Sequence, residues 1–137
     1  MKKYMPRELA GLAAKIRRFN RHRDWDKYHA PKNLAMGVMI EAAELAEHFL
    51  WQETAESRRP DARARAAIRD EVGDVLILLL NLCDKLDIDP VAAALNKLEH
   101  NRRKYPAALV RGKALKYDQY PERAARGTKR RPPLSVR

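Results

Sequence analysis

A chain of 137 residues with 45% hydrophobic positions can bury one real core and is too short for two ordinary domains. A single cysteine, Cys83, excludes an internal disulfide, and no apolar run approaches a membrane span. The net charge of +11 is unevenly spread: residues 1–101 hold 17 Lys+Arg against 16 Asp+Glu, and residues 102–137 hold 12 against 2, so the body is nearly neutral. The N-terminus "MKKYMPRELAGL" lacks the apolar block and small-residue cleavage site of a secretory signal, so a soluble cytoplasmic protein is expected. With only 5 glycines, and Ala, Leu, Arg and Lys abundant, the composition favours helix over strand.

A first helix starts near Pro6 and runs through "RELAGLAAKIRRFNRHR", with Leu9, Leu12, Ala13, Ile16 and Phe19 on one stripe. It stops near "RDWDKYHAPKN". Pro31 suits the first turn of a second helix that runs to Trp51, and residues 52–61 form a polar loop ending in a cap at Asp61. The third helix, "ARARAAIRDEVGDVLILLLNLCDKL", becomes apolar on every face from Val75 to Leu80, which suits a bundle centre or an oligomer interface. Asp89 caps, and Pro90 opens, a fourth helix that Pro106 ends. Four helices with short connections predict an all-α antiparallel four-helix bundle, with a domain over residues 1–121 and a basic, Pro-containing, extended tail over 122–137.

The second helix contains an anomaly. Glu41 and Glu44 stand three residues apart and share a face, and the stripe through Glu41 is otherwise Leu34, Val38, Leu45 and Phe49. A lone ionised carboxylate in such a seam costs several kcal/mol unless a proton, a base or a cation neutralises it. The third helix repeats the pattern with Glu71 and Asp74, flanked by Ala67, Ile68, Val75 and Leu78. If the two helices are antiparallel, four carboxylates converge on one pocket, and mutual repulsion requires cations between them. All-oxygen donors suit Mg²⁺ or Mn²⁺. A di-iron site is disfavoured, because the residues three after Glu41, Glu44 and Glu71 are Glu44, Glu47 and Asp74, with no histidine offered. Glu47 reads as structural, and Cys83 as packing.

On the fourth helix Lys97, Asn101 and Lys104 or Tyr105 recur on one face, a set able to hold phosphate or sugar oxygens. Trp25, Tyr28 and His29 precede the acidic helix and Trp51 closes it; either Trp could stack a base or belong to the core.

At these residues the sequence resembles a known family. "EAAELAEHFLWQ", "DEVGDVLILLLNL" and "KLEHNRRKYP" are similar to the EXXE, EXXD and K-X-X-X-N-X-X-X-Y motifs of the MazG-like all-α nucleotide pyrophosphohydrolases, while "RDWDKYHAPKNL" and "RGKALKYDQYP" resemble the dCTP pyrophosphatase branch. The resemblance covers roughly Arg23 to Pro121 and leaves out the basic end. It implies hydrolysis of a nucleoside triphosphate, dCTP or a modified dCTP first among them, to monophosphate and pyrophosphate. It also implies Mg²⁺ at Glu41, Glu44, Glu71 and Asp74, and a homo-oligomer, dimer or tetramer. His29, Asn33, Trp51, Lys97, Asn101 and Tyr105 would line the nucleotide pocket, and Lys113, Lys116 and Tyr117 would close over phosphates. The rival reading is a helical nucleic-acid-binding or assembly protein that works through its basic tail, with structural acidic pairs.

Overall fold

The computed structural model describes residues 6–114, and the chain divides into two compact units, residues 1–93 and 94–137. All regular structure among the described residues is helical. The first unit holds α1 (Arg7–His22), α2 (Pro31–Glu47) and α3 (Ala62–Lys85). A further helix, α4 (Pro90–Lys104), starts there and continues into the second unit, where the short α5 (Ala107–Val110) follows.

Pro6 precedes the first turn of α1, Glu8 lies in that turn, and Arg21 and His22 lie in the last, each charge complementing the helix dipole. The helix ends in a Schellman turn. The Trp25 N–H donates to the Asn20 carbonyl at 3.1 Å and the Asp24 N–H to that of Arg21 at 3.1 Å, with Asp24 left-handed at φ 53°. This turn reverses the chain and sets the Trp25 ring against Phe19, the centroids 5.7 Å apart at 75°. A single 3-10 turn, Asp26–Tyr28, leads on to α2. It is tied to the end of α3 by Lys85 Nζ, 2.9 Å from Asp26 Oδ1, and this hydrogen bond holds the Asp26 carboxyl below its ordinary range.

Pro31 occupies the first turn of α2 as its sequence indicates, but the helix stops at Glu47 and does not reach Trp51. Turn hydrogen bonds take over from there, the Phe49 N–H donating to the Ala46 carbonyl at 3.0 Å and the Leu50 N–H to that of Glu47 at 3.3 Å, and beyond them the Gln52 side-chain Nε2 donates to the His48 carbonyl at 2.8 Å. Asp61 then caps α3, its Oδ1 accepting from the Ala64 N–H at 2.8 Å.

The helices α2 and α3 run antiparallel: Gly37 lies beside Leu78, while Glu41, one turn later, lies beside Glu71. At Gly37 a Cβ would stand 2.9 Å from Leu78 Cδ1, so any larger residue there would make the end of the Leu78 side chain shift. Packed against α3 is α1, joined to it by Arg17 Nη1 at 2.7 Å from Asp84 Oδ1. Buried at the centre of the unit are Ala13, Ile16, Leu34, Leu80 and Cys83. Much apolar surface is left outside, including Met36, Met39 and Ile40 on α2 and Val72, Leu76 and Leu79 on α3. A second Schellman turn ends α3, the Ile88 N–H donating to the Cys83 carbonyl at 2.8 Å with Asp87 left-handed at φ 52°. Asp89 Oδ1 then accepts from the N–H groups of Val91 and Ala92, both at 3.0 Å, and opens α4.

Candidate active site

Antiparallel packing brings the acidic residues of α2 and α3 together. Glu41, Glu44 and Glu71 each offer a carboxylate oxygen within 4.8 Å of the others, Glu41 and Glu71 half-buried and Glu44 exposed. Partial desolvation raises the Glu41 carboxyl above its ordinary value, and the negative charges of Glu44, Asp74 and Glu71 raise it further. Asp74, exposed one turn beyond Glu71, lies outside the cluster of three but within reach of Glu41 through its charge. Glu41 is thus less enclosed than its apolar stripe suggests: Leu34 beside it is buried, but Val38, Leu45 and Phe49 are only half so. The donor set fits a hard divalent cation, because three carboxylate oxygens converge and their charges repel one another.

Beside the carboxylates opens a cleft of about 430 Å³, lined in part by Phe19, Trp25, His29, Glu41, Asp74 and Asn81. Helical spacing builds both walls: Leu12, Ile16, Phe19 and Asn20 follow one stripe of α1, and Asp74, Leu78 and Asn81 one stripe of α3. The Arg23 guanidinium lies 3.5 Å from the Phe19 centroid and bonds the Phe19 carbonyl at 3.3 Å, fixing the aromatic corner. Asn81 Nδ2 stands 3.1 Å from His29 Nδ1. With the amide as donor, the ring is the tautomer that carries its proton on Nε2.

Of the residues named from sequence, Trp25, His29, Glu41 and Asp74 meet at this cleft. Asn33 and Trp51 do not line it. Asn33 Nδ2 donates to the Tyr28 carbonyl at 2.9 Å and holds the turn before α2, while Trp51 lies past the helix end and is 90% exposed. In the second unit Lys97 is exposed and Asn101 and Tyr105 half-buried, Lys104 Nζ is 5.7 Å from the Tyr105 ring centroid, and Lys113 donates its N–H to Val110. Lys116 and Tyr117 lie outside the described residues. Sequence reasoning passed over Phe19 as a ligand contact and missed Asn20 and Asn81 entirely. Both asparagines carried a signal: each is a polar residue in an otherwise apolar stripe, the pattern that singled out Glu41.

The MazG-like family model matches residues 37–119. Rat (Rattus norvegicus) dCTP pyrophosphatase 1 is 41% identical over 106 residues, covering 75% of this chain and 62% of the relative. The human (Homo sapiens) dCTP pyrophosphatase 1 is 40% identical over 108 residues, covering 77% of this chain and 64% of the relative. The chain therefore spans somewhat under two thirds of the curated relatives it matches. The crystal structure of a pyrophosphatase from Archaeoglobus fulgidus DSM 4304 superposes with a TM-score of 0.70 at 41% identity, covering 75% of this chain and 96% of that one. A family match across more than half of the chain, and a solved relative of the same fold matched over nearly its whole length, establish that this protein belongs to the MazG-like family.

Proposed function

We propose that this chain is a Mg²⁺-dependent nucleoside triphosphate pyrophosphohydrolase that converts dCTP, or a modified dCTP, to the monophosphate and pyrophosphate. The observation that carries the reading is the convergence of Glu41, Glu44 and Glu71 within 4.8 Å at the edge of an aromatic-cornered cleft. Similarity to proteins named dCTP pyrophosphatase 1 supports the choice of base and bond.

Glu41, Glu44 and Glu71 would hold the ion, with Asp74 as the fourth carboxylate. Mg²⁺ in such a site neutralises phosphate charge and acidifies water, and Mn²⁺ has the same donor preference. Glu44 or Glu41 accepts a proton from the attacking water, whose oxygen bonds the α-phosphorus as the bond from that phosphorus to the bridging oxygen breaks. The electron pair leaves with pyrophosphate. Phe19 and Trp25 offer ring faces for a base, and His29 presents Nε2–H to the nucleotide. Lys97, Asn101, Tyr105 and Lys113, with Lys116 and Tyr117, would bind the phosphates and sugar. We further infer a bundle that works as a symmetric dimer or homotetramer in the cytoplasm, supported by the apolar residues that α2 and α3 leave exposed.

The test is a panel of ribo- and deoxynucleoside triphosphates with Mg²⁺, with products separated by anion exchange. Monophosphate and pyrophosphate are expected, with dCTP or a 5-substituted dCTP turned over fastest. Release of orthophosphate with a diphosphate would overturn the reaction assigned.

A further inference from the structure

The side chain of Asn20 sits where an apolar one would cost the fold nothing. It follows Ile16 by one turn on the buried stripe of α1, is only 4% exposed, and forms part of the cleft wall. Its Nδ2 is out of solvent and has no hydrogen-bond partner. A buried amide donor left unmade is unfavourable, and such groups are few in native proteins, so one beside a ligand-sized cleft points to a ligand atom that completes it. Asn81, also 4% exposed, stands on the α3 wall of the same cleft with its Nδ2 engaged by His29, which leaves its carbonyl oxygen as the acceptor it can bring to a ligand. The wall of the cleft thus carries an unpartnered amide and a carbonyl oxygen, on residues that line it together with Phe19, Trp25, Glu41 and Asp74.

We propose that Asn20, seconded by Asn81, is a specificity-determining residue that reads the base: Asn20 Nδ2–H donates to a ring nitrogen or carbonyl of an aminopyrimidine, and Asn81 Oδ1 accepts from its exocyclic amino group. This rests on the nucleotide-hydrolysis reading above and gives that site its means of choosing a base. Phe19 and Trp25 stack any base alike and cannot choose. A carboxamide can, because a base with the wrong edge leaves the buried donor unmade.

The experiment compares wild type with Asn20→Asp, which keeps the shape and removes the donor, and Asn20→Ser, which keeps a smaller donor. Each protein is assayed for kcat/KM on dCTP, dTTP, dATP and dGTP. Binding of dCMP, dTMP, dAMP and dGMP is measured by calorimetry, and folding is checked by thermal melting. The expected result is a selective loss: the preference for the cytosine nucleotide falls roughly 10- to 100-fold in Asn20→Asp, carried by KM and mirrored in dCMP affinity, with part retained in Asn20→Ser. An unchanged preference, or an equal fall for all four bases, overturns the assignment. If the wild-type chain hydrolyses no triphosphate, the pyrophosphohydrolase reading is refuted, and the calorimetric preference for dCMP still decides the role of Asn20. Should Asn20→Asp fail to fold, Asn20→Ser carries the same comparison.

Discussion

At the scale of single residues, the site conflicts with the fold's own stability, and the conflict can be measured. The Glu41 carboxyl is raised from its ordinary value of 4.5, so between that value and the raised one the metal-free folded state binds more protons than the unfolded chain. The unfolded state then binds fewer protons, and stability falls as pH climbs from about 4.5 through the raised value. Glu41→Gln removes this dependence: in chelator its melting temperature should exceed wild type at pH 7, and the difference should close as the pH drops toward 4.5, read by circular dichroism. Mg²⁺ should reverse the order. An ion at 100 times its dissociation constant stabilises the folded state by about 2.7 kcal/mol, and Glu41→Gln, Glu44→Gln and Glu71→Gln should each lose most of that gain, along with orders of magnitude in turnover. Asp74→Asn is expected to follow them in turnover. Asn20→Leu makes the complementary point, since replacing an unsatisfied buried amide with a similar apolar side chain should raise the free protein's stability by about 1–3 kcal/mol.

At the scale of elements, two helices end by the same device, an aspartate in the left-handed region, and Asp87 allows it to be tested cleanly. Asp87→Gly should leave stability unchanged or improve it, whereas a β-branched Asp87→Val should cost about 1–2 kcal/mol in urea denaturation. The elements were largely legible where a side chain governs its own neighbourhood. Pro6, Pro31 and Pro90 mark three helix starts, and Asp61 and Asp89 are caps whose oxygens reach backbone N–H groups two or three residues on. The same local grammar misled at Trp51: the N–H groups of Phe49 and Leu50 turn to the Ala46 and Glu47 carbonyls three residues back, and no residue type between Glu47 and Trp51 marks that change. Asn33, placed in the pocket by resemblance, gives its amide to the Tyr28 carbonyl in the turn before α2. The acidic pairs were visible as breaks in an apolar stripe. The cleft was not, since its walls come from α1 and α3, which are far apart in sequence, and no periodicity within one helix reports which stripe faces another.

For the molecule as a whole, the amount of apolar surface decides its behaviour in solution. Met39 at 64% exposure and Ile40 at 50% on α2, with Val72 at 49% on α3, form more greasy surface than a lone chain keeps easily in water. Burying ~400 Å² of it per subunit is worth roughly 10 kcal/mol before the costs of association. Sedimentation equilibrium at micromolar protein should therefore show a dimer or tetramer, and a single species at the 15.8 kDa chain mass would refute self-association. Removing residues 122–137 should leave hydrolysis near wild type, since the family match ends at residue 119.

The wall that carries Phe19 and Asn20 has one more consequence, which concerns time. The pair α2 and α3 are neighbours in sequence and share the larger packing surface, whereas α1 buries only Ala13, Ile16 and Asn20 and is held to α3 by an exposed ion pair. Exposed pairs of this kind contribute at most about 1 kcal/mol. The first helix should therefore open before the rest of its unit unfolds, and each opening would dismantle the Phe19–Trp25 side of the cleft while the carboxylates stay in place. Amide hydrogens from Leu12 to Asn20 should exchange with deuterium faster than those from Val75 to Cys83, and a bound nucleotide should slow the first set far more than the second. Residence of the nucleotide and closure of α1 would then be one event, and the rate of product release would be set by how often this helix lets go.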